Sequence, residues 1–128
     1  MNPPGTPDYD ETVDVSSVTV GLPVSDLERS VTWYRDVFAL NEPDLEPADG
    51  VAEFQLGPIW LQLNLEPSAR SGAEVVTRFG VRDAAVEHNR LSRLGVNVGA
   101  LQHVPEAVDY FDFTDPDGNR LSIYSMAP

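Results

Sequence analysis

Glu53, Arg78 and Asp112 are charges set within short segments of alternating polarity, on the same faces as Trp60, Tyr110 and Tyr124. Residues of these types can do chemistry together. A carboxylate held there can orient a cationic ligand, or act as a general base if burial raises its proton affinity. Arg78 and a tyrosine hydroxyl can steady an oxyanion, and the aromatic rings offer flat surfaces for a planar ligand. Two plainer readings stand beside this one: the three charges satisfy one another or lie in water, and Trp60 is a packed wall.

The elements that must position these residues are strands. Tyr110 to Tyr124 reads as two alternating strands around Asp115-Pro116-Asp117-Gly118-Asn119. Pro116 presets its φ, the aspartates can bond nearby amides, and Gly118 supplies a positive φ. Phe111, Phe113, Leu121 and Ile123 fall on one face, with Tyr110, Asp112, Ser122 and Tyr124 on the other. A second hairpin runs Val51–Leu56, turns at Gly57-Pro58 and returns over Ile59–Leu65. Pairing Leu56 with Ile59 sets Gln55 opposite Trp60, Glu53 opposite Gln62 and Val51 opposite Asn64, leaving Ala52, Phe54, Leu61 and Leu63 on the apolar face. Asp44–Gly50 is turn-rich with room for a short edge strand.

Ahead of this hairpin, Val18, Val20, Leu22 and Val24 alternate as a half-buried strand. Ser25 and Glu28 have the spacing of a capping box, and Leu27, Val31, Tyr34 and Phe38 mark the buried face of the helix that follows. The pattern then recurs 57 residues later: Val20, Leu22 and Val24 map onto Thr77, Phe79 and Val81, and Phe54 and Leu56 onto Phe111 and Phe113. In this second copy Asp83 is the N-cap, Val86, Leu91 and Leu94 the buried face, and Gly95 the C-terminal cap. The fold class is therefore α+β, two tandem βαβββ modules over about 16–66 and 73–126, in one domain spanning 16–128 after a Pro-rich acidic tail at 1–15.

Composition narrows the function. With 21 acidic residues against 8 basic ones, all arginine, the net charge is −13. So acidic a chain is a poor match for nucleic acid or anionic membrane, and a cationic ligand is compatible with it. No apolar run approaches the roughly 20 residues that span a bilayer, the N-terminal stretch is unlike a signal peptide, and cysteine is absent, so a cytoplasmic location is expected.

The segment Val24-Ser-Asp-Leu-Glu-Arg-Ser-Val-Thr-Trp-Tyr34, the Asp115–Asn119 turn and the module repeat together resemble the vicinal oxygen chelate superfamily of glyoxalase I, bleomycin-resistance proteins and extradiol dioxygenases. The resemblance runs from about Ser16 to Ser125. It implies that the paired modules curl into a cup-shaped mixed sheet with helices on the outer face, within a homodimer. In metal-dependent members four strand positions hold the metal; here they fall on Thr19, Gln62, Val76 and Ser122. None carries an imidazole, thiolate or carboxylate, so no metal and no cofactor is expected. The two histidines offer no substitute. His88 reads as a packed or partly exposed helical side chain, and His103 as a loop residue near the cup rim.

Alternation places Thr19, Gly21, Glu53, Gln55, Trp60, Gln62, Asn64, Val76, Arg78, Tyr110, Asp112, Ser122 and Tyr124 on the cup face. Thr19, Gln55, Trp60, Gln62, Asn64, Val76, Arg78, Tyr110, Asp112, Ser122 and Tyr124 are the candidate ligand contacts. Two functions are open: sequestration of a bulky planar or cationic metabolite without metal, and metal-independent isomerase, cyclase or lyase chemistry with Asp112, Glu53 and Tyr110 as catalytic groups. Trp33, on the first helix, is assigned to packing or a dimer contact.

Overall fold

Each of the two helices starts at an aspartate, and the aspartates are 83 − 26 = 57 positions apart. Asp26 has extended backbone, and its Oδ1 accepts from the Arg29 amide at 3.0 Å, opening α1 (Leu27–Phe38). Asp83 accepts from the amides of Ala85 and Val86 to open α2 (Ala84–Arg93), and Ser125 Oγ takes the Ala84 amide at 2.9 Å. These caps meet helix-start donors that have no partner within the helix. The capping box expected at Ser25 does not form. Ser25 instead donates to the Asp117 carboxylate at 2.5 Å, a charged acceptor on the other module, and the cap passes to Asp26.

The computed structural model describes residues 14–15, 17–68 and 75–127. The expected tail lies almost wholly outside the described residues, as does most of the connection between the modules. The first module places β1 (Val18–Val24) before α1, then β2 (Leu45–Ala48), β3 (Val51–Leu56) and β4 (Ile59–Leu65). The second repeats this as β5 (Val76–Gly80), α2, β6 (Gln102–Val104), β7 (Val108–Thr114) and β8 (Arg120–Met126). Each module makes its own four-stranded mixed sheet, ordered β1-β4-β3-β2 and β5-β8-β7-β6, with the first strand parallel to the last. The first hairpin pairs in the expected register, Leu56 opposite Ile59, and the second sets Phe113 opposite Leu121, with the apolar residues on one face as expected.

The apolar faces of both sheets enter one core of Leu22, Val24, Phe54, Leu61, Leu63, Phe111, Phe113, Leu121 and Ile123, together with residues of both helices. Burying each large side chain here contributes about 1.5–3 kcal/mol. Helix α1 packs on β3 and β4 of its own module and reaches the other one as well. Trp33 lies 6.3 Å from Phe113 and Phe38 4.7 Å from Phe79, ring centre to ring centre. This double packing widens the inner side of α1: Ser30, Tyr34 and Val37 are its fully buried residues, while Leu27, Val31 and Phe38 are half-buried against the core. Trp33 is thus a packing residue, edge-on to Tyr34 at 4.8 Å.

The inner side of α2 also differs from the expectation. Leu91 is buried with Ala84, but Val86 is 58% and Leu94 52% exposed. Ala84, His88 and Leu91 follow the i, i+4, i+7 stripe, and Val86 lies two residues from Ala84, on the far side of the helix. His88 uses this inward position to place Nε2 2.9 Å from the Gly99 carbonyl and its ring edge on Phe111 at 4.9 Å.

Candidate functional site

The polar faces of the two sheets carry the candidate residues in rows set by strand register. On the first sheet Thr19, Trp60 and Gln55 form one row, and Gly21, Gln62 and Glu53 the next. Asn64 Nδ2 donates to Gln62 Oε1 at 2.8 Å, and Gln62 Nε2 donates to Glu53 Oε2 at 2.6 Å. This relay ends on a carboxylate. A side chain at Gly21 would stand 3.2 Å from both Asn64 Nδ2 and Gln62 Oε1, so the glycine gives the amides room to lie over β1.

On the second sheet Arg78, Ser122 and Asp112 form a row, beside Gly80, Tyr124 and Tyr110. Arg78 Nη1 donates to Ser122 Oγ at 3.1 Å and lies 3.8 Å from Asp112 Oδ1. Both members of that ion pair are more than half exposed, which limits its worth to about 0–1 kcal/mol. Ser122 is fully buried beneath Arg78 and also donates to the Phe111 carbonyl at 3.3 Å, so the guanidinium and not the hydroxyl is exposed on this face. Tyr124 lies across Gly80, where an added Cβ would come within 2.9 Å of the phenol oxygen.

Alternation thus put the named residues on the right faces and brought Arg78, Asp112, Tyr110 and Tyr124 together. Glu53 does not join them. Its bonds stay on the first sheet, and among the described residues no hydrogen bond or ion pair links the two polar faces. The physical reason is the core: each polar face is the reverse of an apolar face that both modules contribute to one interior. Gln102 was missed. It stands opposite Tyr110 on β6, whose three residues are too few to show alternation. His103 is on that same strand and not in a loop; its Nδ1 lies 2.5 Å from Asp109 Oδ1.

The donor set does not fit a divalent metal. Val76 has no donor atom, Thr19 and Gln62 offer only a neutral hydroxyl and a neutral amide, and Ser122 is engaged by a cation, the Arg78 guanidinium. Among the described residues no three His, Cys, Asp or Glu side chains converge.

The sequence matches the model of the Glyoxalase/Bleomycin resistance protein/Dioxygenase superfamily over residues 16–123. The chain belongs to that superfamily. It is 27% identical over 112 residues to the metallothiol transferase FosB of Shouchella clausii, covering 80% of this chain and 74% of that one. Its fold is similar to that of a bleomycin resistance determinant encoded on the transposon Tn5, with a TM-score of 0.74 at 15% identity, covering 89% of this chain and 100% of that one. TnmS3, an antibiotic-binding protein from a Streptomyces species, has a TM-score of 0.72 at 21% identity, over 91% of this chain and 100% of that one. The superfamily holds several chemistries on one scaffold, so the site must choose among them.

Proposed function

We propose that this member of the superfamily sequesters a bulky planar or cationic small molecule, such as an antibiotic or metabolite, without a metal. The observation that carries the reading is the composition of the two polar faces. They hold rings, amides and carboxylates, and at the four metal positions a threonine, a glutamine, a valine and an arginine-bound serine. Trp60, Tyr110 and Tyr124 provide stacking surfaces, and Glu53 and Asp112 provide the charges for a cation. Each chain carries two half-sites on separate sheets, and a homodimer would set one copy's first sheet against the other copy's second. In the described part of the chain no helix is long and apolar enough to cross a membrane. We place the protein in the cytoplasm, in keeping with its lack of cysteine.

Titration calorimetry against a panel of planar and cationic natural products, with and without a chelator, tests the reading. Saturable binding at one ligand per half-site pair, unchanged by chelation, supports it. Binding that vanishes on chelation, or one tightly held metal per chain in elemental analysis, sinks it.

The Arg78–Asp112 pair beside Tyr110 supports a second reading, metal-independent acid/base chemistry with Asp112 and Glu53 as bases and Tyr110 as donor. It requires turnover that survives chelation and collapses in Asp112→Asn or Glu53→Gln. Ligand recovered unchanged after prolonged incubation excludes it.

A further inference from the structure

Where the two modules meet there is a groove of about 580 Å³ that lies mostly off the polar faces. Its walls are apolar: Phe38 from α1, Leu56 and Ile59 beside the β3–β4 turn, Phe79 and Val81 along β5 and its exit, and Ile123 from β8. Small organic ligands occupy cavities of roughly 300–1,000 Å³ with walls of this kind and a few placed polar groups. Because β5 is an edge strand, Arg78 also borders the groove, as does Tyr124, which reaches from β8 across Gly80.

The charges along the groove are not equivalent. Arg90 Nε bonds Glu87 at 2.9 Å, and its two terminal nitrogens donate to the carbonyls of Asp36 and Val37. That guanidinium is spent on holding the helices together. Arg78 gives only Nη1, to Ser122 Oγ. Asp112 stands 3.8 Å away, beyond hydrogen-bond reach, and Nε and Nη2 have no bond to any described residue. The groove therefore combines an apolar bed with one cation whose hydrogen-bonding capacity is largely unused. An arginine fork suits a planar carboxylate, to which it can give two parallel bonds. Salt screens the charges more than about 8 Å away at physiological strength, so the carboxylates that oppose an anion here are the near ones: Asp112, 3.8 Å from Arg78, and Glu87, which Arg90 pairs.

We propose that this groove is a second ligand site, for an amphipathic acid whose carboxylate bonds Arg78 and whose hydrocarbon or aryl body lies on Phe38, Leu56, Ile59 and Phe79. Tyr124 stands beside the headgroup. The site overlaps the polar-face reading at Arg78 and Tyr124, and its apolar bed lies outside that reading.

Methyl NMR of the full chain, with isoleucine and leucine labelled, tests it with three probes of one length: decanoate, decanol and decylamine. Decanoate should move the Leu56, Ile59 and Ile123 methyls to saturation, and Arg78→Met should weaken it by about tenfold or more. Decanol should bind weakly at the same methyls, and decylamine not at all. Ile59→Trp should fill the bed and block decanoate. Equal binding of decanol or decylamine, undiminished decanoate binding by Arg78→Met, or shifts confined to methyls away from the groove would each overturn the proposal. Polar-face ligands are read separately by the part of the tryptophan fluorescence change that is lost in Trp60→Phe, so either site can fail without the other.

Discussion

Tyr34 on α1 donates its phenol to Asp115 Oδ2 at 2.7 Å, joining residues 81 positions apart at a buried point between the modules. Asp115 Oδ1 also takes the amides of Asp117 and Asn119, and Asn119 Nδ2 bonds both Asp115 and the Pro23 carbonyl. The turn that closes the last hairpin is thus also the clasp between the two modules.

Tyr34→Phe should therefore destabilise the fold by about 1–3 kcal/mol, read from urea midpoints. The pH dependence has a definite sign. Burial first, then the negative field of Asp115, push the Tyr34 phenol well above its ordinary value. The unfolded chain releases this proton near pH 10 while the folded chain keeps it, so the contribution is intact below about pH 10 and lost above it. Wild type should lose up to about 1.4 kcal/mol per pH unit there on account of this one group. Tyr34→Phe should show a correspondingly shallower decline. Parallel pH profiles of the two proteins would refute this account.

Arg90 holds the C-terminal carbonyls of α1 from the opposite module, bonding Asp36 and Val37 while Glu87 fixes its Nε. Arg90→Met keeps most of the stem and removes the donors from carbonyls at the negative end of the helix dipole. A loss of about 1–3 kcal/mol is expected. Amide exchange should accelerate at Leu40, whose N–H bonds the Arg35 carbonyl in the same turn. Unchanged exchange at Leu40 would count against the role.

Ala39 ends α1 in the left-handed region at φ 53, a conformation that costs a residue with a Cβ about 1–2 kcal/mol. Ala39→Gly should relieve it at a smaller entropic cost and raise stability by up to about 1 kcal/mol. A drop in melting temperature would show that the Ala39 methyl packs usefully.

On the first polar face, Glu53→Gln should weaken a cationic ligand without unfolding the sheet, because the amide keeps an acceptor for Gln62 Nε2. About tenfold weaker binding is expected, with little change for an uncharged planar compound. Trp60→Ala should instead weaken planar ligands whether charged or not, by about 0.5–1.5 kcal/mol. Identical losses for all compounds in both variants would mean that neither residue reads the ligand.

Much of this was legible in the residues alone. A two-residue turn at Gly57-Pro58 fixes Leu56 opposite Ile59, and every partner on β3 and β4 then follows, because strand side chains alternate with period 2. The module repeat and the strand faces were likewise local facts. Helix orientation was less so: Val86 is as apolar as a core residue, yet the sheet under α2 contacts the side that carries Ala84, His88 and Leu91. Only the tertiary structure decided that Ser25 reaches Asp117 and leaves the cap to Asp26, that Arg78 covers Ser122, that Glu53 stands apart from Asp112, and that a groove opens between the modules. Each depends on where one module lands on the other. Spacing along the chain carries no record of that contact, because it is settled by the shape of two whole surfaces and the core they share.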